Sequence, residues 1–196
     1  LNARPPPRPQ VRSIAHSGAV VAARIPAIAA PGYHAPRPNA ITPSMSALQL
    51  HFPPDLHYLL EHQVWARLDG DGLATVGITA LGIALSGEIY MCRPKRLGTA
   101  LAQGATLAVV ELAKSIVAVK TPVSGSIVAI NPALEQRPGL VHTDPYGAGW
   151  IAQLALTDWA ADLGALVHGD AVGPAMAAHA RAYGHELAAG GAGAAP

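Results

Sequence analysis

The run Val109-Val110-Glu111-Leu112-Ala113-Lys114-Ser115-Ile116-Val117-Ala118-Val119-Lys120-Thr121-Pro122-Val123-Ser124-Gly125 decides the fold. Leu107 to Val110 and Ile116 to Val119 are aliphatic and mostly β-branched, so each suits a largely buried strand. Glu-Leu-Ala-Lys-Ser lies between them, and a hairpin with that loop holds Lys114 at its tip with its ammonium in water. Thr121 to Gly125 supplies a second turn, in which Pro fixes φ and Gly is free to take positive φ. Ser126 to Ile130 resumes the strand pattern. A solvated turn lysine is the plain reading of Lys114, since Lys is rarely buried. It is, however, one of only three lysines, with Lys95 and Lys120, so it is not drawn from a crowd.

Working outward, Asp69-Gly70-Asp71-Gly72 is a strong turn signal between a strand in Tyr58–Leu68 and its hairpin partner Leu73–Ile78. Thr79 is placed to cap a short helix through Ala84. Glu88 to Cys92 reads as a strand, Arg93 to Gly98 as a turn, and Asn131-Pro132-Ala133-Leu134 as the start of a longer loop. Asp144-Pro145-Tyr146-Gly147-Ala148-Gly149-Trp150 is a tight loop shaped by Pro and Gly, pinned to the core by Tyr146 and Trp150. Ile151 to Leu156 is the last strand. Thr157 or Asp158 caps a helix through about Val167, and Pro174 starts another through roughly Leu187.

The attachment-site run resembles that of lipoyl carriers, and in particular of glycine cleavage H-proteins. In that family a Glu stands three residues before the modified lysine and a Pro-Val-Ser-Gly turn follows. Glu111, Lys114 and Pro122-Val123-Ser124-Gly125 match without a gap. Val76-Gly77-Ile78-Thr79 and the Asp144 to Trp150 loop match as well, while Glu61-His62 and Trp65 are spaced by one extra residue. The resemblance spans about residues 56–185. It implies a mainly β fold, a lipoyl-domain-like barrel-sandwich hybrid of two small antiparallel sheets with short C-terminal helices. It also implies a non-catalytic carrier with lipoate amide-linked to Lys114, and Glu111 aiding recognition by the lipoate-attaching enzyme or supporting the loop. Such a carrier moves an aminomethyl group between glycine decarboxylase and aminomethyltransferase and is reoxidised by dihydrolipoyl dehydrogenase. Tethering the cargo raises its effective concentration at each active site.

Departures from the pattern cluster on partner-facing positions: Leu112-Ala113 in place of Ser-Val, Ser86-Gly87-Glu88 after Leu85, His142, and the run Ile89 to Lys95. They resemble H-protein-like lipoate-binding proteins, which serve sulfur oxidation with heterodisulfide-reductase-like complexes. A third reading is an unmodified interaction module. Arg93, Lys95 and Arg96 are either a solvated turn or a docking patch for an acidic partner.

Composition bounds the rest. Residues 1–44 hold five Arg and no acid or Lys, +5, whereas residues 45–196 hold eight cations against twelve acids, −4. A mildly acidic folded part argues against nucleic acid as partner. No uncharged apolar run is as long as a membrane helix, about 18–20 residues, and Leu73 to Gly87 is broken by three Gly. The single cysteine, Cys92, excludes an internal disulfide and fits a reducing cytoplasm. Cys92 reads as a small apolar filler rather than a reactive thiol. His142 stands two residues before Asp144, but no further ligand falls at metal spacing, so a hydrogen-bonding loop histidine is expected. Half the prolines fall in residues 1–44, which read as disordered. A transit peptide, a linker, or translation starting at Met45 would each explain that segment, and the last is favoured. Residues 188–196 read as a flexible Gly/Ala tail.

Overall fold

Two tight turns set the first hairpin. The computed structural model describes residues 48–188, so the Pro/Arg-rich segment and the Gly/Ala tail from residue 189 lie outside the described residues. Strand β1 (His57–Leu59) and a 3-10 turn (Leu60–His62) precede β2 (Val64–Gly70), which pairs antiparallel with β3 (Leu73–Ile78). The strand expected over Tyr58–Leu68 is therefore broken at Gln63, which sits in the left-handed region at φ 52°. Gln63 is held there by its own side chain, which donates to Leu60 O and accepts from Thr79 Oγ1. Gly70, Asp71 and Gly72 all take positive φ at the turn. The Asp69 carboxylate braces that turn by accepting from Arg67 Nε at 2.9 Å and from Thr75 Oγ1.

Thr79 caps α1 (Ala80–Ser86), its hydroxyl accepting from Gly82 N at 2.9 Å. Strand β4 (Ile89–Pro94) runs two residues beyond the expected strand and takes Arg93 with it, so the basic turn starts at Lys95. Strands β5 (Ala100–Leu101), β6 (Thr106–Leu112), β7 (Ile116–Lys120) and β8 (Gly125–Ile130) follow. The loop expected after Asn131 contains two helical turns, α2 (Ala133–Gln136) and α3 (Leu140–Thr143). The Asn131 amide ties them in, accepting from Ala133 N and donating to Ala148 O and Trp150 O. Strand β9 (Ala152–Leu156) leads to α4 (Trp159–Asp162), capped by Asp158 as expected, but it gives way to a 3-10 turn at Leu163–Ala165. The final helix, α5 (Val172–Ala182), ends five residues before Leu187 because the chain turns back there. Leu48 and Leu187 form a parallel bridge, which extends the packed chain on both sides of residues 56–185.

The strands form two antiparallel sheets, one ordered β1-β2-β3-β9-β8-β5 and the other β4-β6-β7. This is the lipoyl-domain-like, mainly β architecture that the sequence implied, though one sheet has six strands. Their facing sides share a core: Ala66, Val76 and Leu154 from the larger sheet meet Cys92, Val110 and Val119 from the smaller. A second cluster packs α5 through Val172, Met176 and Ala180 onto Tyr58, Trp65 and Leu81. Among the described residues no helix is long and apolar enough to cross a membrane.

Two predictions follow from close packing. A Cβ on Gly125 would lie 2.5 Å from the Ala155 carbonyl oxygen in the adjacent strand. Gly125→Ala is expected to cost about 1–3 kcal/mol, read by denaturant unfolding, and a neutral change would contradict the β8–β9 register. The His57 ring stacks on His168 with centroids 4.2 Å apart and meets Trp159 edge-on, and its buried Nδ1 has no hydrogen-bond partner. Burial, then the neighbouring His168, holds the His57 imidazole below its ordinary value of 6.5. The unfolded chain therefore binds more protons below that value, so stability is full above it and declines as the pH falls. Thermal unfolding should shift downward between about pH 7.5 and about pH 5, and His57→Phe should flatten that slope. An unchanged slope would show that the stack does not sense pH.

Candidate functional site

The lysine hairpin is built by register. Antiparallel pairing of β6 with β7 sets Val109 opposite Ala118, Val110 opposite Val117 and Glu111 opposite Ile116. The Leu112 N–H then donates to Ser115 O at 2.9 Å and closes the turn. Glu111 and Leu112 thus belong to β6, and only Ala113, Lys114 and Ser115 stand outside the strands. Lys114 is exposed, as a tip lysine must be. Among the described residues the one ion pair is Arg67–Asp69, so neither Lys114 nor exposed Glu111 is engaged by an opposite charge. An amine without a local partner is free for acylation, and a nearby carboxylate without one is free for recognition.

The expectation that β7 is largely buried is wrong for most of its length. Ile116 is 71% exposed and Val117 40%, and only Val119 is buried. The reason is topological: β7 is an edge of the three-stranded sheet, and among the described residues no further strand pairs beyond it. Its inward side opens on a cleft of about 510 Å³. Val117 and Val119 line one wall, Leu85 and Gln63 belong to α1 and the bend before β2, and His179 and Tyr183 come from the C-terminal helix and its cap. The cleft begins three residues from Lys114. Sequence reasoning missed it because its walls come from four distant segments with no shared motif.

The Pro-Val-Ser-Gly turn behind the hairpin is locked by a buried carboxylate. Asp162, only 4% exposed, accepts from Ser124 N at 2.5 Å and from Ser124 Oγ at 2.9 Å. Ser124 Oγ in turn accepts from Gln103 N, and the Gln103 amide donates to Pro122 O and Asp162 O. A buried charge is tolerable when it is this fully hydrogen-bonded. Neither Asp162 nor Gln103 stood out in the sequence, since their partners lie far along the chain.

The remaining candidates separate. Arg93, Lys95 and Arg96 are exposed, but the register places them away from the tip: Arg93 opposes Val109, and Lys95 N–H donates to Leu107 O. Cys92 is buried, and burial alone pushes its thiol up to about 12, which leaves it protonated and packed as a filler. His142 Nε2 accepts from Ile89 N at 3.0 Å, a structural hydrogen bond that fixes the start of β4. Among the described residues no three His, Cys, Asp or Glu groups converge as a metal site. The Asp144 to Trp150 loop is an anchor. Tyr146 OH accepts from Ala80 N at the start of α1, and Trp65 Nε1 donates to both Ile78 O and Pro145 O.

The chain is similar in sequence and fold to known proteins. The sequence model of the family described as Glycine cleavage H-protein matches residues 56–178. A glycine cleavage system H protein of Mycobacterium avium is 41% identical over 109 residues, covering 56% of this chain and 82% of the relative. Glycine cleavage system H protein 3 of Aquifex aeolicus is 35% identical over 130 residues, covering 65% and 81%. The crystal structure of a glycine cleavage system H protein from Mycobacterium marinum matches at a TM-score of 0.55 and 28% identity, covering 68% of this chain and 99% of that one. A lysine on a hairpin tip, a locked turn behind it and a family match across both sheets lead to one assignment: this chain belongs to the glycine cleavage H-protein family.

Proposed function

We propose that the protein is the lipoyl-carrying shuttle of a cytoplasmic glycine cleavage system, a carrier rather than a catalyst, with lipoate amide-linked to Lys114. The observation that carries this reading is the lysine itself: exposed, at the tip of a two-strand hairpin, with no opposite charge engaging it among the described residues. The residues fit the group. Lys114 is exposed in the turn outside both strands, and the cleft beside β7 offers Val117 and Val119 as apolar wall. Lys114 would hold the lipoyl group as an amide, and the group would supply a dithiolane disulfide able to take up an aminomethyl unit from a glycine decarboxylase for an aminomethyltransferase, with a dihydrolipoyl dehydrogenase restoring the disulfide.

What the chain contributes is presentation. Hairpin pairing keeps the attachment point fixed while the long side chain swings, so each partner meets the cargo at high effective concentration. Glu111, three residues before the lysine and exposed, offers the lipoate-attaching enzyme a carboxylate in a fixed place beside its target. Amide formation removes the Lys114 charge and leaves Glu111 as the nearest charge in the sequence.

The alternative, a lipoyl carrier of sulfur for a heterodisulfide-reductase-like complex, is favoured by Leu112-Ala113 and the Ile89 to Lys95 run at partner-facing positions. It shares the modified lysine and differs in the enzymes engaged. The unmodified interaction module differs in the lysine.

Reconstitution separates them. With glycine decarboxylase, the lipoylated protein is expected to support glycine-dependent exchange of the carboxyl carbon with bicarbonate. Lys114→Arg should abolish that support while leaving stability within about 0.5 kcal/mol, because the position is exposed. A lipoylated protein inactive with the decarboxylase but active with a sulfur-oxidising complex would select the alternative. Undiminished exchange in the Lys114→Arg protein would end the carrier reading. Glu111→Gln removes a charged hydrogen-bond acceptor worth about 1.5–3 kcal/mol, so kcat/KM of the attaching enzyme should fall roughly tenfold or more without a change in folding stability. An equal rate of lipoylation would assign Glu111 no part in recognition.

A further inference from the structure

The outward face of the β4-β6-β7 sheet is unlike a solvated strand surface. Register sets Met91, Glu111 and Ile116 in one cross-strand row and Arg93, Val109 and Ala118 in the next. On these strands Tyr90, at the irregularity between Ile89 and Met91, is 52% exposed, Val109 39% and Ile116 71%, with Glu111 between Met91 and Ile116 in their row. The other side of the same strands buries Cys92 and Val110 in the core, so these exposed apolar groups are not core residues out of place. Several exposed apolar side chains on one sheet face, here set around Glu111, are a feature of interaction sites.

Charge on this sheet is sorted along the strands. Glu88 and Glu111 lie at the end nearest the lysine turn, with Glu88 accepting a hydrogen bond from Tyr90 OH at 2.9 Å. Arg93, Lys95 and Arg96 follow toward the opposite end, where Lys120 on β7 donates to Thr106 Oγ1. At about 3.3 Å per residue, the five steps from Leu107 to Leu112 put the cations on the order of 10–20 Å from the tip. No acid pairs with Arg93, Lys95 or Arg96 among the described residues. Acylation of Lys114 would strip the only cation that the described strands and turn carry at the acidic end and sharpen this polarity.

We propose that this face, with Tyr90, Val109 and Ile116 at its centre and Arg93, Lys95 and Arg96 on its distal edge, docks the enzyme that loads the Lys114 arm. The matching surface is an apolar patch with carboxylates set roughly 10–20 Å from the mouth of that enzyme's active-site channel. Charge sorting fixes one orientation: the reversed complex would set the enzyme's carboxylates against Glu111 and Glu88. The exposed cations govern encounter and salt dependence, and the apolar centre governs dissociation. The acids on the same sheet disfavour a polyanion such as nucleic acid. The inference rests on the carrier reading for the arm.

Calorimetric binding tests it without relying on turnover. Lipoylated protein, the triple variant Arg93→Glu/Lys95→Glu/Arg96→Glu, Ile116→Ser and the control Arg181→Glu, an exposed side chain on α5, are each titrated into glycine decarboxylase, at low and at elevated salt. The triple variant should bind about tenfold or more weakly and lose the salt dependence. Ile116→Ser should weaken binding and keep that dependence, and Arg181→Glu should match wild type. Equal affinity and salt slope in the triple variant would overturn the docking face. A wild-type protein that fails to bind, although its Lys114 peptide carries the lipoyl mass, overturns docking and leaves carriage standing. Salt-dependent binding lost in the triple variant, in a protein whose Lys114 is unmodified, supports docking and ends carriage.

Discussion

Everything functional in this molecule depends on the pairing of β6 with β7. The register from Val109–Ala118 to Glu111–Ile116 decides that Lys114 falls at the turn and that Val110 faces the core. A slip of one residue would exchange the two faces of each strand, exposing Val110 and burying Glu111, so the hydrophobic pattern itself holds the lysine in place. The bond from Leu112 N–H to Ser115 O then restricts the tip to three residues. A short tip on a paired ladder is a stiff mount for a flexible side chain.

That mount is braced from behind. Asp162 and Gln103 clamp the Thr121 to Gly125 turn, so β7 leaves the hairpin along a fixed path. On the other side of the cleft, Trp65 and Tyr146 bind the Asp144 to Trp150 loop to the start of α1. The cleft is thus walled by elements that are separately pinned, while β7 leaves Ile116 exposed on its outward side. The same strand presents one face to the cleft and the other to solvent, which is what a carrier needs if its arm is to be both sheltered and offered.

Local signals in the sequence were strong where chemistry is local. Pro and Gly positions gave turns, Thr79 and Asp158 gave their caps, and the Asp69 to Gly72 turn signal gave Leu73–Ile78 as its hairpin partner, a strand with those bounds. The tip position of Lys114 was legible because it needs only the two flanking strands. Burial of β7 was misjudged, since Ile116-Val117-Ala118 looks like a core strand and only sheet order makes it an edge. Gln63 broke a strand that alternation alone would have continued, because a left-handed residue without glycine is stabilised by side-chain bonds to Leu60 and Thr79. Asp162 was invisible for a related reason: its partner Ser124 is 38 residues away.

The central claim concerns one covalent bond, and it is tested most directly by peptide mass spectrometry of the protein isolated from its own cells. The account predicts a lipoyl mass addition on the peptide that contains Lys114, and none on peptides containing Lys95 or Lys120. An unmodified Lys114, in cells that lipoylate their other carriers, would contradict it.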